Sequence, residues 1–498
     1  MIRKILLITA AGIVVLLLAA AAGVFWLFSG DGMRLALESQ ATSWLGHPVR
    51  IGGARGQIFP RIGIRLSDVR LGEPARVTLS GVQLSTDLRA LLDRRIEDAR
   101  IVISDSRLEM PIPFGIPSGS GSSGGSRGKS TGASQPAVKF VSIGEIALRN
   151  IRVLSRGREV VVSADSTLEG DTLVVRRFSA QSGGTALEVS GKVDLEPRID
   201  AQLKATANKI DVDELLALAA AFTPAGAPAS RKQVSTPARI AARIESKTAK
   251  VGDLEVTQFS TGMEVDGNRI ALTPIAFQIF GGRYEGSLNA RLGERLTATL
   301  QSRVEDVDVA QLAAFGGSPD TVTGRLTANG TFGSQGADMD AIMGSANGKG
   351  TASIVDGSIR RLDLVRTVVL FFGKPAAETP AASDRFERFD ASFSLANQVF
   401  RADSLSLRSR DADLTGTGTL TLGNEALDGR VNMVLSEELT SQAGTDLVRY
   451  TREGNRVVLP ARISGTLAKP RVMIDASAAI KRGLINEGSR RLLELFGK

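Results

Sequence analysis

Side chains that could perform chemistry are scarce in this chain of 498 residues. It contains one His and no Cys, so imidazole and thiol chemistry have almost no residues to use. The absence of Cys excludes disulfides, thiolate zinc sites, iron–sulfur clusters and thiol catalysis. His47 lies in the segment WLGHPV, where a turn is expected, and no Ser and carboxylate are arranged to complete a catalytic triad with it. We therefore predict no catalytic, cofactor-binding or metal-binding residues, and we expect a protein that is not an enzyme.

One motif is similar to a nucleotide-binding element. Gly128–Thr131 (GKST) matches the end of a P-loop, but that motif needs a Gly where the chain has Ser123, and a strand before it and a helix after it. Residues 117–136 are instead rich in Gly and Ser, which is typical of a flexible linker. We interpret this segment as a linker.

The charge distribution does not favour nucleic-acid binding. The chain has 61 Lys and Arg against 53 Asp and Glu, a net charge of +8 that is spread along its length. It lacks a basic block that could follow a phosphate backbone, and its two Trp and two Tyr offer few rings for base stacking. We expect no nucleic-acid partner.

The N-terminus predicts a membrane anchor. Residues 5–28 form an uncharged run of about 24 residues, long enough to cross the hydrocarbon core as a helix. A cleaved signal peptide is the alternative, but its apolar region is shorter, about 7–15 residues. Lys and Arg residues that flank a transmembrane helix are usually cytoplasmic. We therefore expect the N-terminal tip in the cytoplasm and the bulk of the chain on the other side of the membrane. The expected membrane-interface residues are Arg3, Lys4, Phe25, Trp26 and Phe28.

Beyond the anchor, apolar and polar residues alternate with a period of two, which predicts strands with one apolar and one polar face. Gly-Gly and Asp-Gly pairs, such as Gly183-Gly184, Gly281-Gly282 and Asp356-Gly357, predict turns. The residues that we single out as candidates on the apolar face are Leu187, Val189, Val193, Leu195, Leu203, Leu326, Phe332, Leu414, Leu420 and Leu422. Short helices are predicted at 33–45, 86–92, 212–222, 309–315, 359–372, 441–450 and 476–496.

The chain contains an internal repeat. The segment 203–218 (LKATANKIDVDELLAL) is similar to 300–315 (LQSRVEDVDVAQLAAF), and each predicts a strand, an Asp-x-Asp turn and a short helix. The predicted sections are a cytoplasmic tip (1–4), the anchor (5–28), an N-terminal β module (32–116), the linker (117–136), a repeated β-rich middle (137–373), a C-terminal β module (383–475) and an amphipathic C-terminal helix (476–498).

Several segments, taken in order, resemble the AsmA family of Gram-negative envelope proteins. The "Leu-Gly-x-Pro-Val" and "Phe-Pro-x-Ile-Gly" elements occur at 45–49 and 59–63, and a strand, helix, strand segment follows at 77–110. The segments FERFDASFSLANQVF and VVLPARISGTLAKPRVMID begin at Phe386 and Val457. Both ends of the chain therefore carry the resemblance.

The resemblance implies a mainly β protein with an elongated, curled, groove-like sheet and short helices, preceded by one transmembrane helix. It also implies relatedness to bridge-like lipid transfer proteins. The expected protein is anchored in the cell inner membrane, with its body in the periplasm, where an apolar β-groove transports phospholipid between inner and outer membranes and supports outer-membrane homeostasis. The expected partners are phospholipid acyl chains, the inner membrane and outer-membrane or periplasmic proteins.

Two alternatives stay open at this point. The protein could instead be a scaffold or regulator of outer-membrane protein assembly that carries no lipid, with its apolar faces packed as core. The C-terminal helix could bind a membrane surface or a partner, or it could pack as a lid on the end of the sheet.

Overall fold

The computed structural model describes residues 30–57, 61–87, 95–96, 98–110, 139–140, 142–222, 238–337, 339–359, 385–442, 451–466 and 469–475. The chain divides into two compact units, Met1–Asn268 (unit 1) and Arg269–Lys498 (unit 2). The boundary lies inside the predicted middle section 137–373. The two units are described separately below.

Unit 1 contains two helices and fourteen strands among its described residues. The helices are α1 (Gly30–Leu45) and α2 (Val212–Phe222). The strands are β1 (Val49–Gln57), β2 (Ile62–Leu71), β3 (Val77–Thr86), β4 (Arg95–Ile96), β5 (Ala99–Ser104), β6 (Arg107–Met110), β7 (Lys139–Phe140), β8 (Ser142–Ser155), β9 (Arg158–Glu169), β10 (Thr172–Ser182), β11 (Thr185–Asp194), β12 (Ile199–Asp211), β13 (Ala238–Val251) and β14 (Leu254–Asp266).

The main sheet of unit 1 runs in the order β1, β2, β3, β5 with β6, β8, and then β9 to β14. Most neighbouring strands are antiparallel. Strand β8 is parallel to β5 and β6, and β13 is parallel to β12. Strands β4 and β7 form a separate parallel pair.

Helix α1 covers the edge strand β1. The Glu38 carboxylate accepts a 2.6 Å hydrogen bond from the Ile51 amide, and the Thr42 hydroxyl accepts one of 3.0 Å from the Val49 amide. The Arg34 guanidinium donates to the Ile51 carbonyl at 3.4 Å. Side chains of α1 thus replace a neighbouring strand on part of this edge, which protects it from pairing with another chain.

Unit 2 contains three short helices and twelve strands among its described residues. The helices are α3 (Val309–Phe315), α4 (Met339–Gly344) and α5 (Glu437–Gln442). The strands are β15 (Arg269–Ile279), β16 (Gly282–Arg291), β17 (Leu296–Asp308), β18 (Val322–Gly336), β19 (Asn347–Ile359), β20 (Arg385–Ala396), β21 (Val399–Arg408), β22 (Ala412–Thr421), β23 (Ala426–Leu435), β24 (Arg452–Glu453), β25 (Arg456–Thr466) and β26 (Lys469–Ile474). Antiparallel pairing connects β15 to β23 in sequence order, then β25 and β26, while β24 pairs with β25.

Three buried apolar clusters form the core of the part of the chain that the structure describes. In unit 1, Leu37 of α1 packs with residues of β1 and β2, and a second cluster joins Leu84, Ile143 and neighbouring residues. In unit 2, one cluster joins strands β20 to β25; we call it the closed cluster. Its buried members are Phe386, Leu407, Ala412, Leu414, Val431, Met433, Leu435, Val457, Leu459 and Ala461.

The predicted mainly β class is confirmed, and the helices predicted at 212–222 and 309–315 have the predicted bounds. The turn predicted at Asp356-Gly357 is wrong. Both residues lie within β19, where Asp356 has a φ of 51° and the pairing with β18 shifts register, so the Asp-Gly pair makes an irregularity inside a strand.

Several predictions fall outside the described residues. These are the anchor at 5–28, the linker at 117–136 and the C-terminal helix at 476–496. The helices predicted at 86–92, 359–372 and 441–450 also lie mostly outside the described residues; of their described residues, Thr86 ends β3, Ile359 ends β19, and Ser441 and Gln442 belong to α5. Within the described part of the chain, no helix has the length and apolar character needed to cross a membrane.

Candidate functional site

Cross-strand registers place four candidates of unit 1 on one face of its sheet. Leu187, Val189 and Val193 alternate along β11, and Leu203 on β12 lies opposite Gly191. Their cross-strand partners are small or apolar: Ala180 and Ala207 for Leu187, Phe178 and Ala205 for Val189, Leu173 and Ala201 for Val193, Gly191 and Ala242 for Leu203. The predicted alternation therefore produces a shared apolar face.

The candidates of unit 2 also share one face. Leu326 and Phe332 lie on β18, and Leu414 and Leu420 lie on β22. Their cross-strand partners are again small or apolar: Val307 and Ile354 for Leu326, Leu300 and Gly348 for Phe332, Leu407 and Met433 for Leu414, Phe400 and Leu427 for Leu420.

One register row of this face runs across nine successive strands without a polar side chain. We call it the apolar row; its members are Leu272, Leu288, Leu300, Phe332, Gly348, Leu395, Phe400, Leu420 and Leu427, one from each strand from β15 to β23. None of the nine is fully buried. Eight intervals of about 4.8 Å make the row about 38 Å long, measured along the sheet.

Aromatic rings lie over glycines on the same face. A Cβ added to Gly330 would lie 2.8 Å from the Phe332 ring, and one added to Gly350 would lie 2.7 Å from the Phe393 ring. The Phe332 and Phe393 ring centroids are 6.4 Å apart and close to parallel, and Phe400 meets Phe393 edge-on at 5.6 Å. Because glycine has no side chain, the rings can lie close to the backbone, and the surface of this face is comparatively flat.

The ten candidate residues differ in burial. Leu195 and Leu414 are only 5% and 4% exposed, because each packs inside a core cluster. Leu422, just beyond the end of β22, is 45% exposed. The other seven are half-buried. The exposed surface among the ten candidates therefore comes from those seven and Leu422, whereas Leu195 and Leu414 contribute almost none.

Charged side chains occupy the opposite, polar face, where many form ion pairs. Arg303 lies 2.6 Å from the Glu305 carboxylate, and a hydrogen bond from the Arg283 guanidinium lowers the pKa of that carboxyl. Hydrogen bonds from Arg243 and Lys204 likewise lower the pKa of Glu245. Both carboxylates are therefore ionised at neutral pH. Because both lie on the polar face, their charge is kept away from the apolar face.

Two hollows lie on the polar face, at equivalent positions of the internal repeat. The hollow in unit 1 has a volume of about 450 Å³ and includes Arg177 and Glu188; the one in unit 2 has about 760 Å³ and includes Pro274 and Glu285. Each lies beside a register shift, in β10 and β15 respectively. A shift of this kind bends a strand, so the repeat produces the same concavity twice.

The described residues offer few groups for catalysis or metal binding. Among them, no group of three or more His, Cys, Asp or Glu side chains is placed to hold a metal ion. His47 lies in the bend between α1 and β1, as predicted. Among the described residues, the apolar sheet faces are the most extensive chemical feature.

Comparison with known proteins supports the resemblance seen in the sequence. Residues 229–405, from just before β13 to within β21, match the AsmA family. Protein AsmA of Escherichia coli (strain K12) is 21% identical over 250 residues. Over residues 229–405 the chain is similar to the AsmA family. The alignment covers 49% of this chain and 37% of the E. coli protein. No solved structure matches the chain.

The segment that matches the AsmA family contains most of the apolar row, including members that sequence analysis missed. Leu288 and Leu300 alternate with polar residues in the same way as the named candidates, whereas Leu395 and Phe400 each have one apolar neighbour in the sequence, Ala396 and Val399. The signal was present in the alternation, but only the registers show that these residues form one row. The interface residues Arg3, Lys4, Phe25, Trp26 and Phe28 lie outside the described residues.

Proposed function

We propose that this protein, which is similar to the AsmA family, is a non-enzymatic carrier of phospholipid, anchored in the cell inner membrane with its body in the periplasm. Its apolar sheet face forms a curled groove that binds the acyl chains while the head groups stay in water. Transport between inner and outer membranes then supports outer-membrane composition.

The observation that carries this proposal is the half-buried apolar face of unit 2. Large apolar side chains in a protein core are normally covered, and an extended exposed apolar surface marks a binding site. The side chains of the apolar row are hydrocarbon, and the backbone polar groups of its strands pair within the sheet. Such a surface offers contact area without directed hydrogen bonds, which suits an acyl chain.

The size of the apolar row is also adequate for this ligand. One leaflet is about half of the roughly 30 Å hydrocarbon core, so an acyl chain spans about 15 Å. The row, at about 38 Å along the sheet, is longer than two such lengths.

A charge on the apolar face tests the proposal. We expect Leu300→Asp to slow phospholipid transfer about tenfold or more, because a carboxylate desolvated against an acyl chain costs more than 1.4 kcal/mol. The measurement is the rate at which the full chain moves fluorescent phosphatidylethanolamine from donor to acceptor vesicles. Thr299→Asp, on the polar face of the same strand, is the matched control and should transfer at the original rate.

Either of two results would contradict the proposal. One is an absence of transfer by the unmodified chain; the other is equal transfer by the two variants. Co-isolation of an outer-membrane protein without phospholipid would support the scaffold alternative instead. Circular dichroism of both variants establishes that they fold.

A further inference from the structure

We propose that the apolar face of unit 2 is divided along its strands into two halves with different roles, and that only one of them binds acyl chains. The half that contains the closed cluster is permanent core. The half that contains the apolar row is the acyl-chain site. This inference rests on the proposed function and adds where on the molecule the lipid lies.

The division is visible within single strands. On β22, Leu414 near the start is 4% exposed and belongs to the closed cluster, while Leu420 near the end is half-buried and belongs to the apolar row. On β21 the order is reversed, as antiparallel pairing requires: Phe400 of the row comes first and Leu407 of the cluster later. The two halves therefore lie at opposite ends of the same strands.

The closed cluster has almost no surface left for a ligand. Met433, Val457 and Leu459 are 0% exposed, and partly buried side chains from β19 to β26 pack against the cluster. Leu439 of α5 is among them, and the Thr440 hydroxyl of α5 accepts a 3.1 Å hydrogen bond from the Val457 amide. An acyl chain would have to displace these contacts, and the loss of buried core contacts is strongly destabilising.

The apolar row is accessible from its own end of the strands. Three large apolar residues border it there and are strongly exposed: Leu292 after β16 at 42%, Met343 of α4 at 65% and Leu422 after β22 at 45%. An acyl chain could therefore slide along the row while its head group stays in water at this rim.

The nature of the row favours a lipid over a protein as its occupant. Aromatic rings lie over glycines near the middle of the apolar row, so the surface of the row is comparatively flat. A protein partner gains specificity from pockets that receive its side chains and from hydrogen bonds at the rim of the contact. A disordered hydrocarbon chain needs only continuous apolar area.

Three positions on one strand test the division. A photo-reactive amino acid replaces Phe400 (apolar row), Leu405 (packed against the closed cluster) or Arg401 (polar face) in the full chain, and irradiation in cells is followed by mass spectrometry of the adducts. We expect a phospholipid adduct at 400 and its loss to background at 405 and 401. Ile463 on β25 is a second cluster position, used in case the variant at 405 does not fold.

The outcomes separate the two proposals. Phospholipid adducts of equal yield at 400 and 405, or at 405 alone, would overturn the division while leaving phospholipid binding in place. A protein adduct at 400 would overturn the division as well, because another occupant would hold the row. An absence of phospholipid adducts at every apolar position would count against the proposed function itself.

Discussion

Gly350 shows how a single residue affects how flat the apolar face is. Its neighbours across the strands are Gly330 on β18 and Phe393 on β20, and the Phe393 ring lies where a side chain at 350 would be. The sequence contains the glycine but does not show which side chain occupies the space beside it. A period-2 pattern predicts which face a residue lies on; the position of a ring above a neighbour depends on side-chain packing.

We expect Gly350→Ala to destabilise unit 2 by about 1–3 kcal/mol, because the new methyl would overlap the Phe393 ring and the Asn329 carbonyl. The measurement is urea unfolding followed by circular dichroism. Gly423→Ala is the control: an added Cβ there meets no atom within 4 Å. That variant should change stability by less than about 0.5 kcal/mol. If the two variants were equally stable, the Phe393 ring would move aside without lowering the free energy of unfolding.

At the scale of elements, the two copies of the repeat fold alike locally and continue differently. Each copy consists of three antiparallel strands and a helix, with an Asp at the helix start: Asp211 accepts from the Glu214 amide, and Asp308 accepts from the Ala310 and Gln311 amides. The next strand is parallel after the first copy and antiparallel after the second. Local similarity predicted the shared part; strand direction depends on the longer connection and on which edge it reaches.

The helix cap of the second copy is a testable local contact. We expect Asp308→Ala to cost about 1 kcal/mol, because the side chain accepts hydrogen bonds from two amides at the start of α3. Faster hydrogen exchange at the Ala310 and Gln311 amides would report the loss directly. Asp308→Asn retains an acceptor oxygen and should exchange nearly as slowly as the original chain. If the Ala and Asn variants exchange equally, the cap does not stabilise the helix.

At the scale of the whole molecule, the sequence predicted the mainly β class from its alternation, its turn residues and its family resemblance, and the structure confirms it. It also predicted a topology in which the N-terminus is in the cytoplasm and the body is in the periplasm, on the other side of the inner membrane. That topology rests on Arg3, Lys4 and residues 5–28, and it stays a prediction.

The absence of Cys from the chain makes this topology easy to test. Thr417→Cys, exposed on the polar face of β22, would be the only thiol. We expect a membrane-impermeant maleimide to label it in cells whose outer membrane is permeabilised and whose inner membrane is intact. Ile2→Cys, in the predicted cytoplasmic tip, should be labelled only after lysis. Labelling of Thr417→Cys only after lysis would contradict a periplasmic body.

The sequence by itself determined the strands and the composition of their two faces, because alternation with a period of two is a local property of consecutive residues. It could not distinguish Leu414 from Leu420, which lie six residues apart on the same strand and face. Leu414 is buried because it belongs to a cluster that includes side chains distant in sequence, among them Phe386 and Leu459. Leu420 has apolar neighbours beside it and stays half-buried. Only the tertiary structure decided which part of the apolar face became core and which part stayed available to a ligand.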